Sequence, residues 1–453
     1  VLINTGSLPD MVTLDVTASQ RLLMEDNNML EPLEPLIEKY APDTNIPKSM
    51  LDWYRNKNGN SYLIASYFFS TERCNKEFGG YYETHNVNVA RQDILDEIGM
   101  TLDDMNTKDG FLKACREVKS KNVKYNGKQV TPFVTIRQID IALRDIAEQF
   151  GMSRENKEGQ LLSQWYQPEY LEAVKFMNIL YNEGLMTDES FTFTDQQRTE
   201  KIGSGAVFCG VDHVGINVNG RKALYAADKN AIFKVSGVMD SISSKKHYLP
   251  GINTAGWTAT VINKDAARKD RIIRLLSYLT SEEATLDNNY GTGCYDIVNG
   301  AVKMKADKQK EFSDNPSVAD AKYKFGVTFL VDWTIIQKYE PKEYPDALEE
   351  DMATYNIKYA NLVYDAKCFE GLRAEPGTDL ANKETKIGQY VAQNLPLVIM
   401  ASTENCEAKY NDFVKELEKL GLNDLVKYYN DVFQTRKANL GIKYAYPGAE
   451  QTD

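Results

Sequence analysis

Histidine is nearly missing. The 453 residues hold three, His85, His213 and His247, none of them in a His-Glu-x-x-His pattern or a spaced Cys/His set. Zinc sites are built from such clusters, so neither a structural nor a catalytic zinc has sequence support, and no cofactor is expected. The six cysteines (Cys74, Cys115, Cys209, Cys294, Cys368, Cys406) are widely spread, which excludes zinc knuckles and thioredoxin-like pairs. They are read as buried small hydrophobes, with disulfide connectivity open. There is no Gly-x-Ser-x-Gly elbow for a serine nucleophile. Gly203-Ser204-Gly205 with Gly210 lacks the Lys-Ser/Thr of a phosphate loop and precedes a strand, so it is read as a turn. Asn56 to Asn60 contains no carboxylate, and a hairpin turn fits it better than a calcium loop. Basic surplus is absent too: 53 Lys and Arg against 65 Asp and Glu gives −12, which repels nucleic-acid phosphates and anionic headgroups. No apolar run approaches the ~18 residues of a membrane span; the longest, Pro396 to Ala401, is read as a buried strand or helix segment. Fixed-period repeats and low-complexity tracts are absent, which disfavours solenoids and propellers. The opening Val1-Leu2-Ile3-Asn4 has neither a basic n-region nor a cleavage site, as expected of a processed or trimmed product.

What is present is a globular composition, with 42% hydrophobic and 26% charged residues and a length that suggests two or three domains. Pro168 to Gly184 carries the helical code: Pro168 in the first turn, Tyr170, Val174, Met177 and Tyr181 on one face, Gly184 as a stop. Further helices are expected at Thr107 to Lys119, Lys264 to Thr280, Pro345 to Val363, Glu404 to Leu420 and Asn423 to Ala438. Short strands are expected at Asp10 to Leu14, Ala206 to Cys209 and Thr258 to Ile262. Helix and strand alternate, an α/β pattern. Four Asn-Gly pairs (Asn58-Gly59, Asn126-Gly127, Asn219-Gly220, Asn299-Gly300) predict tight hairpin turns.

The aromatic surplus is mostly tyrosine, 27 against 17 Phe and 4 Trp, a side chain that joins an apolar face to a wet hydroxyl. Trp257 follows Asn253-Thr254-Ala255-Gly256 at the entrance of the Thr258 to Ile262 strand, where Gly256 leaves one ring face open. Such a ring can be a platform. A sugar presents a C–H face ringed by hydroxyls, so it needs flat aromatics below and Asp, Asn or indole N–H around the rim. Candidate walls are Tyr67-Phe68-Phe69, the stretch Tyr81 to Asn86 with Tyr82 and Asn86, and Asp332-Trp333. For each of these except Tyr82, a core or lobe-packing aromatic outweighs ligand contact, and for Trp53 and Trp165 surface packing is the default reading. Asp212, before His213, could accept a hydroxyl or cap the next element.

The order of several short motifs then resembles that of a known family. Thr5-Gly6-Ser7-Leu8-Pro9-Asp10-Met11-Val12 is similar to the "GDLPDI" strand entry of family 1 extracellular solute-binding proteins, which serve carbohydrate uptake. Leu30-Glu31-Pro32-Leu33 resembles their helix lead, Gly59 to Ala65 their "dGk.YaiP" hairpin, and Val89 to Gly99 their "vRkDwLdklG" segment. Gly205 to Gly210 resembles "Gkvamfgg". Gly256 to Ile262, then Lys264 to Tyr278 and Ser281-Glu282-Glu283-Ala284, resembles "G...i.k..k..e.A..fl.yl.S.Eg". Leu425 to Lys437 is similar to the tail helix of the larger lipoprotein members. The matches are collinear over most of the chain. Two positions depart from the pattern: Asp212-His213 stands where many members have Trp, and Ala65-Ser66 replaces the proline after the hairpin.

The resemblance implies an α/β, two-lobed periplasmic-binding-protein-like fold of class II type with a hinge between lobes. Lobe 1 is expected at 1–132 plus 260–328 and lobe 2 at 133–259 plus 329–453, with a strand and a helix ahead of Leu8-Pro9-Asp10; nine residues precede Asp10, so the expectation is either a trimmed chain or a strand supplied differently. It implies a sugar or oligosaccharide in an interlobe cleft, closed around the ligand and delivered to an ABC transporter permease without catalysis. By position, Asp15, Tyr67, Asp212, His213 and Trp257 fall where members contact ligand. It also implies an extracellular, monomeric lipoprotein of a bacterial surface, held to the membrane through a lipid anchor. Two other classes stay open on the residues: an extracellular polysaccharide-acting hydrolase or lyase, whose acid pair is set in space and not in sequence, and a surface adhesin.

Overall fold

The computed structural model describes residues 2–56, 58–66, 84, 86–135, 138–212, 218–243, 245–251, 256–326, 330, 332–340 and 346–452. The chain divides into two compact units, Val1–Tyr81 with Asn253–Tyr344 and Tyr82–Ile252 with Pro345–Asp453. It passes between them three times.

In the first unit, the strand Thr258–Ile262 is central in a three-stranded antiparallel sheet, flanked by Met11–Asp15 and Leu63–Ala65. All five of its residues are buried, as its uninterrupted run of small and β-branched residues suits a strand covered on both faces. Register pairs Met11 with Ile262 and Asp15 with Thr258, and the hydroxyls of Thr13 and Thr260 meet across the strands at 3.0 Å. Helices Leu33–Tyr40 and Lys269–Leu279 pack on each other and on the sheet, contributing Leu33, Leu36, Ile273 and Leu276 to one apolar cluster with Leu63, Ile64 and Val261. Burial of such side chains, at roughly 1.5–3 kcal/mol each, is what holds this unit.

The second unit carries a four-stranded sheet in the order Thr131–Phe133, Val207–Asp212, Val87–Arg91, Phe233–Gly237. Only the Thr131–Phe133 pair is parallel. Helices Lys108–Ser120, Ile139–Gln149 and Pro168–Asn182 share its largest core cluster with Asp379–Ile399, Cys406–Lys419 and Leu422–Leu440. Pro168 occupies the first turn, where its missing N–H costs nothing, and Gly184 follows the helix end at φ +61°.

A buried cation ties the helix Leu422–Leu440 to the segments around Glu155 and Lys443. The Lys437 ammonium donates to Glu155 Oε1 (2.5 Å), to the Gly159 carbonyl (2.6 Å) and to the Lys443 carbonyl (2.9 Å). Glu155 Oε2 accepts the backbone N–H groups of Ala445 and Tyr446. Both charged side chains are withdrawn from water, and every oxygen around the ammonium is spoken for, which is the condition for burying a charge.

Three expectations change. The unit boundaries fall at 81/82, 252/253 and 344/345, not at 132/133, 259/260 and 328/329, because Val87–Arg91 pairs with Val207–Asp212 and Phe233–Gly237 and so takes residues 82–132 into the second unit. Asn126-Gly127 and Asn299-Gly300 do form two-residue hairpin turns with positive φ at both positions. Asn219-Gly220, however, lies inside the helix Val218–Ala227. A Cβ on Gly220 would stand 2.7 Å from the Thr199 carbonyl, so glycine there lets this helix approach Asp195–Gly203. Pro396 to Ala401 proves to be the end of the helix Asp379–Ile399, with Leu397 59% exposed; its apolar run is split between core and surface.

Candidate functional site

The site is built at one end of the first unit's sheet, where Met11–Asp15 and Leu63–Ala65 finish and Thr258–Ile262 begins. Trp257 sits at that entrance and its backbone is clamped from both sides. Its carbonyl accepts Val16 N–H at 3.0 Å, and its own N–H donates to Ser66 Oγ at 3.0 Å. Ser66 Oγ also accepts Thr258 N–H (3.3 Å), and Ser66 N–H donates to the Thr258 carbonyl (2.9 Å). Gly256, at φ +79°, passes so close that a Cβ would meet Ala65 Cβ, Ser66 N and Ser66 Oγ all at 3.0 Å. Glycine is required there both for the left-handed backbone and for the space.

The consequence is a fixed backbone under a free ring: the Trp257 side chain is 53% exposed. Large aromatics are ordinarily buried, so one held out to water by a rigid frame is set up to bind through its face. Asp15 ends the neighbouring strand opposite Thr258 and is exposed. Its Oδ1 accepts Thr17 N–H (2.7 Å) and the Thr17 hydroxyl (2.6 Å), while Oδ2 has no protein partner among the described residues. Aromatic face and carboxylate rim thus share one sheet end.

The corresponding end of the second unit's sheet is different. Asp212 pairs with Val87, and Asn86 immediately precedes that strand. Asn86 was expected at a ligand rim, but it is 2% exposed and committed. Its Nδ2 donates to the Asp145 carbonyl (3.0 Å) and Glu148 Oε2 (3.1 Å), and its Oδ1 accepts Gln149 Nε2 (2.8 Å). Gln149 Oε1 accepts Asn88 Nδ2 (3.0 Å) and Met239 N–H (2.8 Å). Asn86 is therefore a member of a closed amide network, with no group left for a ligand. Burial raises the Glu148 pKa above its ordinary value, opposed by the Arg154 and Arg144 guanidiniums. His247 donates Nδ1–H to the Gln149 carbonyl at 2.7 Å, and burial lowers its pKa from 6.5.

Trp333 heads the helix Trp333–Lys338. Asp332, beside it, is a cap: its buried Oδ1 accepts Thr334 N–H (2.9 Å), the Thr334 hydroxyl (2.5 Å) and Ile335 N–H (3.3 Å). Trp165 is half-buried and packs on the core against Tyr170 and Phe413. Asn56 to Asn60 is a turn, with Asn56 Oδ1 accepting from Asn58 and Asn60 N–H. Tyr67, Tyr82 and His213 lie outside the described residues. Sequence reasoning missed Ser66 as the anchor of Trp257; the signal was its place after the hairpin, where the resembling family has proline. It also missed Gln149, whose partners come from three separate segments. No group of three or more His, Cys, Asp or Glu among the described residues could hold a metal ion.

No protein-family model matches the sequence, and no curated protein matches it. Solved structures do. The ABC-transporter substrate binding protein FusA of S. pneumoniae, an EF-hand mutant in complex with fructo-nystose, is 18% identical with a TM-score of 0.67 over 97% of this chain and 90% of that one. An HMO-binding, ABC-transporter-associated solute binding protein from Bifidobacterium longum infantis is 16% identical with a TM-score of 0.63, covering 96% and 89%. The alginate-binding protein AlgQ2, solved without calcium ion, is 15% identical with a TM-score of 0.62, covering 96% and 87%. All three are binding proteins. Among the described residues no helix is long and apolar enough to cross a membrane. The chain thus has the α/β fold of ABC-transporter substrate-binding proteins, the fold that its motif order implied.

Proposed function

We propose that this protein binds a sugar or oligosaccharide and hands it unchanged to an ABC transporter permease, working outside the cell as a lipid-anchored monomer. The observation that carries the reading is Trp257: a ring 53% exposed on a backbone held by Val16, Ser66 and Gly256, in a fold whose solved examples include complexes with carbohydrate. A sugar's C–H face stacks on such a ring without any cost of ordering the backbone beneath it, since that frame is already set. Asp15 Oδ2 accepts a sugar hydroxyl beside it. Asp212, His213, Tyr67, Tyr82 and Trp333 are the further contacts of this reading.

The test is a thermal-shift screen against plant and mucin oligosaccharides, followed by calorimetry and analysis of the recovered sugar. A raised melting temperature with intact sugar supports binding for transport. Cleaved sugar would make the protein a hydrolase or lyase, and no response across the panel would favour an adhesin. For the sugar that binds, Trp257→Ala is expected to weaken affinity by about 2 kcal/mol or more, as truncation of an aromatic anchor does, with fold stability changed by less than about 0.5 kcal/mol. Equal affinities would remove Trp257 from the site.

A further inference from the structure

Two cysteines far apart in sequence meet in the core of the second unit. Cys115 lies in the helix Lys108–Ser120 and Cys209 in the strand Val207–Asp212, and both are fully buried. Their sulfur atoms are 3.6 Å apart, and Cys209 Sγ donates to the Pro132 carbonyl at 3.2 Å. Cys294, Cys368 and Cys406 are also free and buried, but no other pair of sulfurs is in contact among the described residues. The surroundings of Cys115 and Cys209 belong to one apolar cluster that includes Phe111, Phe133 and Phe208, where any pair of small hydrophobes would pack as well as two thiols. What two thiols add is the capacity for a covalent link between a helix and the strand beneath it.

We propose that Cys115 and Cys209 form a disulfide when the chain folds in the presence of a small or protein disulfide as oxidant. The thiolate of one cysteine attacks the oxidant's S–S bond, forming a mixed disulfide and expelling one oxidant thiolate. The second cysteine's thiolate then attacks the protein sulfur of that mixed disulfide and expels the other. The protein loses two electrons and two protons, and the oxidant is reduced to two thiols. Contact of the sulfurs across the helix–strand interface supplies the proximity, and a modest approach of the helix closes the remaining gap to bonding distance. Timing follows from burial. In the folded chain Cys209 holds its proton far more firmly than a free thiol, because its surroundings are desolvated, and only the thiolate reacts. The bond therefore forms while the core is still open, and the closed core afterwards shields it from reductants.

The experiment refolds the whole chain from denaturant with a glutathione redox pair and, in parallel, with reductant alone. Each sample is then alkylated under denaturing conditions and mapped as peptides. Expected in the oxidised sample are a Cys115–Cys209 linked peptide, two fewer alkylated thiols and a melting midpoint several degrees higher. Cys115→Ala and Cys209→Ala should each lose the linked peptide and the oxidant-dependent rise. Alkylation of both cysteines after oxidative refolding would overturn the proposal, as would a link from either one to a different cysteine. The peptide map on the wild-type chain decides the matter even if a variant fails to fold.

Discussion

The two sheets end in opposite ways. In the first unit Trp257 is held through its own backbone alone: its C=O accepts Val16 N–H and its N–H donates to the Ser66 hydroxyl, so its side chain is released to solvent. In the second unit the strand start at Asn86 is finished by side chains. Asn86, Asn88, Gln149 and Glu148 satisfy one another and are all buried. A polar group that completes the fold cannot also face a ligand, because leaving its partners unpaired in a low-dielectric interior costs more than one new contact returns. A residue whose backbone alone does the structural work keeps its side chain for recognition. The comparison separates Trp257 from Asn86, although the sequence presents both as polar or aromatic residues beside strands.

That contrast can be broken by substitution, and the largest effect should come where a charge is buried. Lys437→Met leaves the Glu155 carboxylate in the core without its cation, which is expected to cost about 3–5 kcal/mol; urea unfolding followed by circular dichroism measures it, and a loss below about 1 kcal/mol would mean that water reaches the pair. Next is the amide network. Gln149→Leu strands the Asn86 and Asn88 amides and Met239 N–H, for an expected loss of about 3 kcal/mol by the same measurement.

The first unit should be less sensitive. Gly256→Ala imposes a Cβ at φ +79° against Ser66 and Ala65, for about 1–2 kcal/mol. Because it displaces the backbone under Trp257, it should also weaken sugar affinity, and unchanged affinity would show that the clamp does not set the ring.

The smallest effect concerns pH. Burial holds the His247 pKa below 6.5, so the unfolded chain takes up the proton first as pH falls. The neutral ring's contribution is present above about pH 6.5 and is lost as pH falls from there toward the lower folded value. His247→Asn should flatten the fall of the unfolding midpoint between about pH 7 and pH 5; an identical slope in the variant would assign that fall to other groups.

Much of the local structure was legible. The helix at Pro168 stops near Gly184 as expected, Thr258–Ile262 is the strand its composition demands, and the Asn126 and Asn299 turns follow from positive φ at both residues. These features depend on interactions within a few residues. Of the site, Trp257 was legible because Gly256 and a strand entrance lie next to it in sequence. Asn86 was misread because its partners Asp145, Glu148 and Gln149 lie about sixty positions away. Asn219-Gly220 was misread because the demand for glycine comes from a packed helix and not from a turn.

By itself the sequence determined the α/β alternation and the motif order that implied the fold. Only the tertiary structure decided which segments join which unit, that Asn86 is sealed inside while Trp257 stands out in water, and that Cys115 meets Cys209. The reason is range. Periodicity and turn chemistry act between neighbours along the chain, whereas burial and hydrogen-bond partnership are settled by strands and helices that meet from distant positions, where no local pattern records the encounter.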